Sequence, residues 1–178
     1  MARLTSMLAA GLAMLAALSV APPAADAVDD VFLLLDGIPG DVTARDHEGW
    51  IRVLAVGSSV AVPSGATRPV FSDLSILKAI DSASPRLLVT VASGKRLPEA
   101  VLEFVRPGES AFTYFRIVLE DVEVAGVRAS ANAVGDSLTE FLTLRYERIT
   151  WEYTPQGPGG GAGTKITGCW DIARNQQC

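Results

Sequence analysis

The sequence predicts a mainly β domain of bent strands with one short α-helix, which packs its apolar face on the sheet or plugs one opening. Three observations carry this. Residues 138–155, LTEFLTLRYERITWEYTP, alternate apolar and polar side chains but change phase midway. Residues 115–124 do the same. A Ser84-Pro85 step, followed by apolar residues at helical spacing and then Gly94, marks the clearest helix.

In the first stretch Leu142, Leu144 and Tyr146 recur at every second position, then Ile149, Trp151 and Tyr153 do so in the other phase. Alternation is the period of a strand with one buried face. A one-residue slip would turn the second set outward. A β-bulge near Glu147–Arg148 is therefore expected, which restores the facing and bends a single long strand. Phe115, Ile117 and Leu119 likewise hand over to Val122 and Val124 after Glu120–Asp121. Two long strands with such breaks predict a strongly curved sheet, a barrel or a tight sandwich, with these two as neighbours.

The other elements follow in order. Val31 to Leu35 is apolar on both faces, as in a doubly buried strand. Asp36-Gly37 and Pro39-Gly40 are turn signals, and the polar stretch from Asp41 to Gly49 reads as a solvated loop. Trp50 to Val62 is the second strand region, with Gly57 marking a bend. Pro63 to Pro69 is a loop, and Phe71 to Ile80 a third strand. Ser84 is expected to cap the helix and Pro85 to open it, since the first helical N–H has no partner to lose. Leu87, Leu88, Val91 and Ala92 share one face, and Gly94 ends the helix. Leu97 to Val105 is a strand, Pro107-Gly108 a turn, and Gly126 to Gly135 a loop. Gly157 to Gly161 forms a flexible connection, and Lys165 to Ile172 a last short strand carrying Trp170. Trp50, Trp151 and Trp170 read as core or interface anchors.

Residues 1–27 read as a secretory signal peptide. Arg3 supplies a positive start, Met7 to Val20 is apolar or small, and Ala25-Asp26-Ala27 is a small-x-small cleavage pattern. Cleavage between Ala27 and Val28 would leave one domain, residues 28–178, secreted or periplasmic and with no membrane attachment. The run is short for a membrane span; an apolar anchor that stays attached is the alternative. The length of 178 residues suits one domain. The net charge of −5 argues against nucleic acid or anionic lipid as partners, both of which need clustered Lys and Arg.

Cys169 and Cys178 are the two cysteines. In an oxidising compartment a close pair favours a disulfide over free thiols. Its loop of about ten residues would contribute about 2.7 kcal/mol in the chain-entropy picture. Metal binding or redox chemistry at the pair is poorly supported by the sequence: there is no CxxC spacing, and the sole histidine, His47, is distant in sequence.

No catalytic signature emerges. Asp46, His47 and the nearby carboxylates Asp41 and Glu48 form a weak acid–base or metal-site pattern in a polar loop. The serines lack a nucleophile-elbow context, and the glycine-rich run lacks the Lys-Ser/Thr of a phosphate loop. The chain is expected to be no enzyme and to hold no cofactor or metal.

Four segments resemble one family in order. They are LLLDGIPGDVTARDHEGWIRVLAV at 33–56, FSDLSILKAIDSASPRLLVTVASGKRLPEAVLEF at 71–104, ITWEYTPQ at 149–156 and CWDIARN at 169–175. They are similar to the Hcp family, the haemolysin-coregulated proteins of the type VI secretion tube. The resemblance implies a small closed or nearly closed β-barrel with a side helix. It also implies a structural subunit that forms homo-hexameric rings, which stack into a tube and can hold effector cargo. Asp36, Asp46, His47 and Arg68, in the loops 36–49 and 63–69, become candidate ring or stacking contacts. Three departures stand out. Tube-forming members normally lack a cleaved signal peptide. The family often has Trp-Gly where this chain has Val56-Gly57-Ser58-Ser59, and Gly where it has Cys169. With the chain stopping at Cys178, no fused toxin domain is expected. An exported Hcp-like binding module, periplasmic or extracellular and outside the injection apparatus, is the alternative function.

Overall fold

The structure is a computed structural model that describes residues 29–107, 111–130, 138–157 and 161–178. The expected signal peptide and the Ala27–Val28 cleavage site lie outside the described residues. The strands are β1 (Asp30–Leu35), β2 (Ile51–Gly57), β3 (Val60–Ala61), β4 (Val70–Phe71), β5 (Leu74–Ala79), β6 (Arg96–Arg106), β7 (Phe112–Ser130), β8 (Thr139–Arg145), β9 (Arg148–Tyr153), β10 (Ile166–Asp171) and β11 (Gln176–Gln177). Among the described residues there is one helix, α1 (Ser84–Ser93), which joins β5 to β6.

The strands pair in the order β11-β10-β9-β7-β6-β1-β2-β5-β8, and β7 also pairs with β8. That extra pairing closes a six-stranded antiparallel barrel, one of the two architectures the phase breaks predicted and the one the family resemblance implies. Strands β9 to β11 extend the sheet as a wing beside the barrel, and β3 and β4 form a separate two-stranded arm.

The corner that closes the barrel is the one marked by the phase breaks. Asp121 adopts φ +56°, in the left-handed region. Before it, Phe115 to Glu120 pair with β9; after it, Glu123 to Ser130 pair with β8. The segment paired with β7 turns at the same place, where the Glu147 N–H donates to the Glu120 carbonyl at 3.1 Å. The expected single bulged strand over 138–155 is therefore two strands, β8 and β9, broken at Tyr146–Glu147. A bulge would bend one strand; a break lets the two halves pair with the two halves of β7.

Facing follows the predicted phases. Leu142, Leu144 and Tyr146, then Ile149, are buried in the main core with Leu33, Leu35, Ile51, Leu74, Ile76, Leu102 and Leu119. Each such side chain contributes about 1.5–3 kcal/mol of burial. Residues 126–130, expected as loop, continue β7, because pairing with β8 reaches Ser130↔Thr139. The region Trp50–Val62 divides into β2 and β3, and Phe71–Ile80 into β4 and β5, because the arm leaves the barrel between them.

Helix α1 ends as expected: Gly94 has φ +63° and donates its N–H to the Val91 carbonyl at 3.2 Å. Its start differs. Ala83, not Ser84, is the N-cap residue, and the Ala83 N–H is taken by the Asp81 carboxylate at 2.9 Å. Ser84 is inside the helix and buried, with its hydroxyl engaged elsewhere. The buried stripe is Ser84, Leu87 and Thr90 with Val91 beside it, so Leu88 and Ala92 face outward.

The segment 36–50 folds back over the outer face of β1 and β6, where Phe32, Val42 and Val105 form a second apolar cluster with Ala44 and Trp50. Gly40 makes this possible. Its N–H donates to the Gly49 carbonyl at 2.8 Å, and a Cβ there would stand 2.5 Å from the Trp50 carbonyl oxygen. Gly40→Ala is expected to cost about 2 kcal/mol or more, by backbone displacement rather than lost contacts. Urea denaturation checks this; a loss under about 0.5 kcal/mol would contradict it.

Candidate assembly surface

The barrel has two unlike ends. Strands β1 and β2 are antiparallel, with Leu33 opposite Ile51 and Val31 opposite Val53. The end of β2 at Gly57 therefore lies beside the start of β1, and the arm of 58–71 leaves from that end. Asp36 follows the other end of β1, beside Glu99 near the start of β6. On β1, β2, β5 and β6, arm and helix occupy opposite ends.

The arm is short and apolar on its surface. Val60 pairs with Phe71 and Ala61 with Val70. Val60, Val62 and Val70 are 55%, 61% and 58% exposed. Arg68, at the tip, is exposed and makes no ion pair among the described residues. Phe71 roots the arm against the wing, its ring stacked on Trp151 at 6.4 Å and on Trp170 at 6.5 Å between centroids.

At the opposite end a cleft of about 440 Å³ is lined by Leu34, Asp36, Pro98, Glu99 and Val101. Asp36 is exposed and free of ion pairs among the described residues. Of the four loop residues singled out from the sequence, Asp36 and Arg68 thus lie at opposite ends. Asp46 is exposed at φ +67° in the folded-back segment.

His47 is placed differently from expectation. It is only 6% exposed, so the segment is not wholly solvated, and this side chain packs on its own barrel. The ring stacks on Phe32 at 4.4 Å and meets Trp50 edge-on at 4.8 Å. Its Nε2 lies 2.9 Å from Glu103 Oε2. Glu103 begins a row of alternating charge across the outer face: Arg116 Nε at 3.3 Å, then Glu152 with Arg116 at 3.5 Å and with Lys165 at 3.0 Å. The register explains it, since Glu103 pairs with Arg116 and Arg116 with Glu152. His47 locks the segment to this row.

The buried ion cluster was missed by the sequence reading. Lys78 is 0% exposed, and its Nζ donates to Glu140 Oε1 at 2.7 Å and Asp81 Oδ1 at 2.7 Å. The Ser84 hydroxyl donates to the same Glu140 oxygen at 2.7 Å. The signal was present: Lys78 continues the inward phase of Leu74 and Ile76, and Glu140 that of Leu142 and Leu144. The cluster ties β5, β8 and the start of α1 together. No group of side chains suited to a metal ion occurs among the described residues.

The family model described as "Type VI secretion system effector, Hcp" matches residues 32–153. The chain belongs to the Hcp family. Protein hcp1 of Pseudomonas aeruginosa is 30% identical over 158 residues, covering 83% of this chain and 98% of that protein. Among solved structures, one of a type six secretion system protein has a TM-score of 0.77 at 27% identity, covering 85% of this chain and 100% of the other. Hcp1 from Salmonella typhimurium has a TM-score of 0.74 at 26% identity, with 85% and 100% covered.

One departure of this Hcp chain, Cys169 with its partner Cys178, lies in the wing. Cys169 and Cys178 lie at disulfide distance, with Cα atoms 5.4 Å apart, between β10 and the chain end. Beside them, Asp171 has its carboxyl pKa lowered, first by the Arg174 backbone N–H and then by Arg148. Glu152 is lowered chiefly by the bond from Lys165. A lowered carboxyl contributes stability that is present above its unfolded pKa and lost as pH falls through the folded value. The stability difference between the parent chain and Glu152→Gln is therefore expected to hold at pH 6 and fade below about pH 4. Thermal melting across that range checks it; an undiminished difference at pH 3 would contradict it. No helix among the described residues is long and apolar enough to cross a membrane.

Proposed function

We infer that this chain is a non-catalytic structural subunit that self-assembles into six-membered rings, which stack head to tail into a tube able to carry effector proteins. The observation that carries the reading is the polarity of the barrel. An apolar arm tipped by Arg68 leaves one end, and a cleft holding Asp36 and Glu99 opens at the other. Complementary features at opposite ends favour a heterologous contact between copies. The opposite charges add orientation and specificity more than affinity.

The working compartment is outside the cytoplasm, after removal of residues 1–27 between Ala27 and Val28. A cysteine pair at bonding distance supports that location, because such pairs persist where the surroundings are oxidising. The same observation favours a second reading, an exported Hcp-like binding module separated from the injection apparatus. Electron microscopy of the mature chain, residues 28–178, distinguishes them. The tube reading expects six-fold rings and short stacks at high concentration. A field of dispersed monomers would sink it and favour the binding module.

A further inference from the structure

The C-terminal cysteines sit one step from the residue that seats the arm. Strand β11 has two residues, pairing Gln177 with Trp170 and Gln176 with Asp171. So short a pairing is marginal by itself. Cys169 and Cys178 occupy the next position of the same pairing, so a bond between them closes the hairpin and removes its open conformations.

Trp170 lies between Cys169 and Asp171, on the face that carries Ile149, its partner across the strands. Its indole and that of Trp151 are the stacked rings on Phe71. Trp170 Nε1 is buried with no hydrogen-bond partner among the described residues, so packing alone fixes the ring. Phe71 ends β4, and few other contacts hold the arm. Among the described residues, the Ser72 N–H to the Ser59 carbonyl at 2.9 Å and the Ser59 N–H to Ser72 Oγ at 2.8 Å close the base of the arm, and the Tyr146 hydroxyl to the Ser72 carbonyl at 3.2 Å ties that base to the barrel. An element with this few contacts opens at low free energy, so its pose depends on its seat.

We propose that the Cys169–Cys178 pair is a redox switch that sets the pose of the 58–71 arm through Trp170 and Phe71. The control of stacking that follows rests on the ring-and-arm reading above. Cys178 is exposed and Cys169 half-buried, so exchange reagents can reach the pair. Closure is thiol–disulfide exchange with an oxidant that itself carries a disulfide. The Cys178 thiolate attacks that disulfide to form a mixed disulfide. The Cys169 thiolate then displaces the oxidant, which leaves as a dithiol. The pair loses two electrons and two protons, and the oxidant takes them up. A dithiol reductant reverses both steps. In the reducing cytoplasm the arm is loose and stacking is weak; after export the bridge forms, Trp170 is held, and the arm is set for the next ring.

Hydrogen exchange of the mature chain, bridged and after treatment with dithiothreitol, tests the switch. Peptides covering 58–72 are expected to exchange about tenfold faster when reduced, while those covering β1 and β2 stay unchanged. The double variant Cys169→Ser/Cys178→Ser should match the reduced chain and ignore the reductant. Trp170→Ala with the bridge intact should loosen the arm alone. Equal arm exchange in both states overturns the proposal. So does a uniform acceleration over the whole barrel, which would make the bridge a general staple. Ring mass, read on the same samples, keeps the two ideas apart: an arm that responds to redox in a chain forming no rings supports the switch and removes the tube.

Discussion

Replacing Lys78 by methionine is expected to lower the unfolding free energy by about 3–5 kcal/mol. The side chain is fully buried, and four oxygens surround its Nζ: Glu140, Asp81, Ser84 and the Ala79 carbonyl. Removing the ammonium leaves the Glu140 carboxylate, itself 2% exposed, with no cation beside it. An uncompensated buried charge costs far more than the pair was worth. The double variant Lys78→Met/Glu140→Leu removes both charges and should recover most of the loss, because apolar side chains of similar volume can fill the site. Urea denaturation of the two variants decides it. A single variant that loses less than about 1 kcal/mol, or a double variant that loses more than the single, would contradict this account of the cluster.

Reversing the arm tip, Arg68→Glu, is expected to abolish stacking while leaving the ring mass intact. Arg68 is exposed and unpaired among the described residues, so the folded barrel loses nothing when it changes. In the proposed stack it faces Asp36 and Glu99 of the next ring. One exposed pair contributes only about 0.2–1 kcal/mol. Repetition around a ring of six turns this into several kcal/mol for each stacking step, and the reversed charge adds repulsion of the same order. Sedimentation velocity reads the outcome as a collapse of stacks to single rings. Glu99→Lys in the same chain should restore them. Stacks of unchanged length in Arg68→Glu would remove the arm tip from the contact.

The phase breaks at Glu120–Asp121 and Glu147–Arg148 made the curvature legible in the sequence, because register faults in long amphipathic strands have few cheap repairs. Which repair was used was not legible. Whether a strand bulges or breaks depends on its partner, and here both faults sit on one corner where β7 exchanges β9 for β8. The position of His47 was hidden for a related reason. A polar loop reads as solvated unless a distant strand supplies a partner, and Glu103 stands 56 residues away. Lys78 and Glu140 show the opposite case, since alternation alone put both on the inward face. Ser84 looks like a cap in the sequence because Ser-Pro is a strong local signal. Tertiary contacts with Lys78 and Glu140 claimed its hydroxyl instead.

Light scattering on residues 28–178, the chain expected after the proposed cleavage, in oxidising buffer tests the central claim most directly. A mass of six subunits is the result expected of a ring-forming Hcp subunit. A single-subunit mass at high concentration would mean that the barrel has been kept while the ring interface was lost.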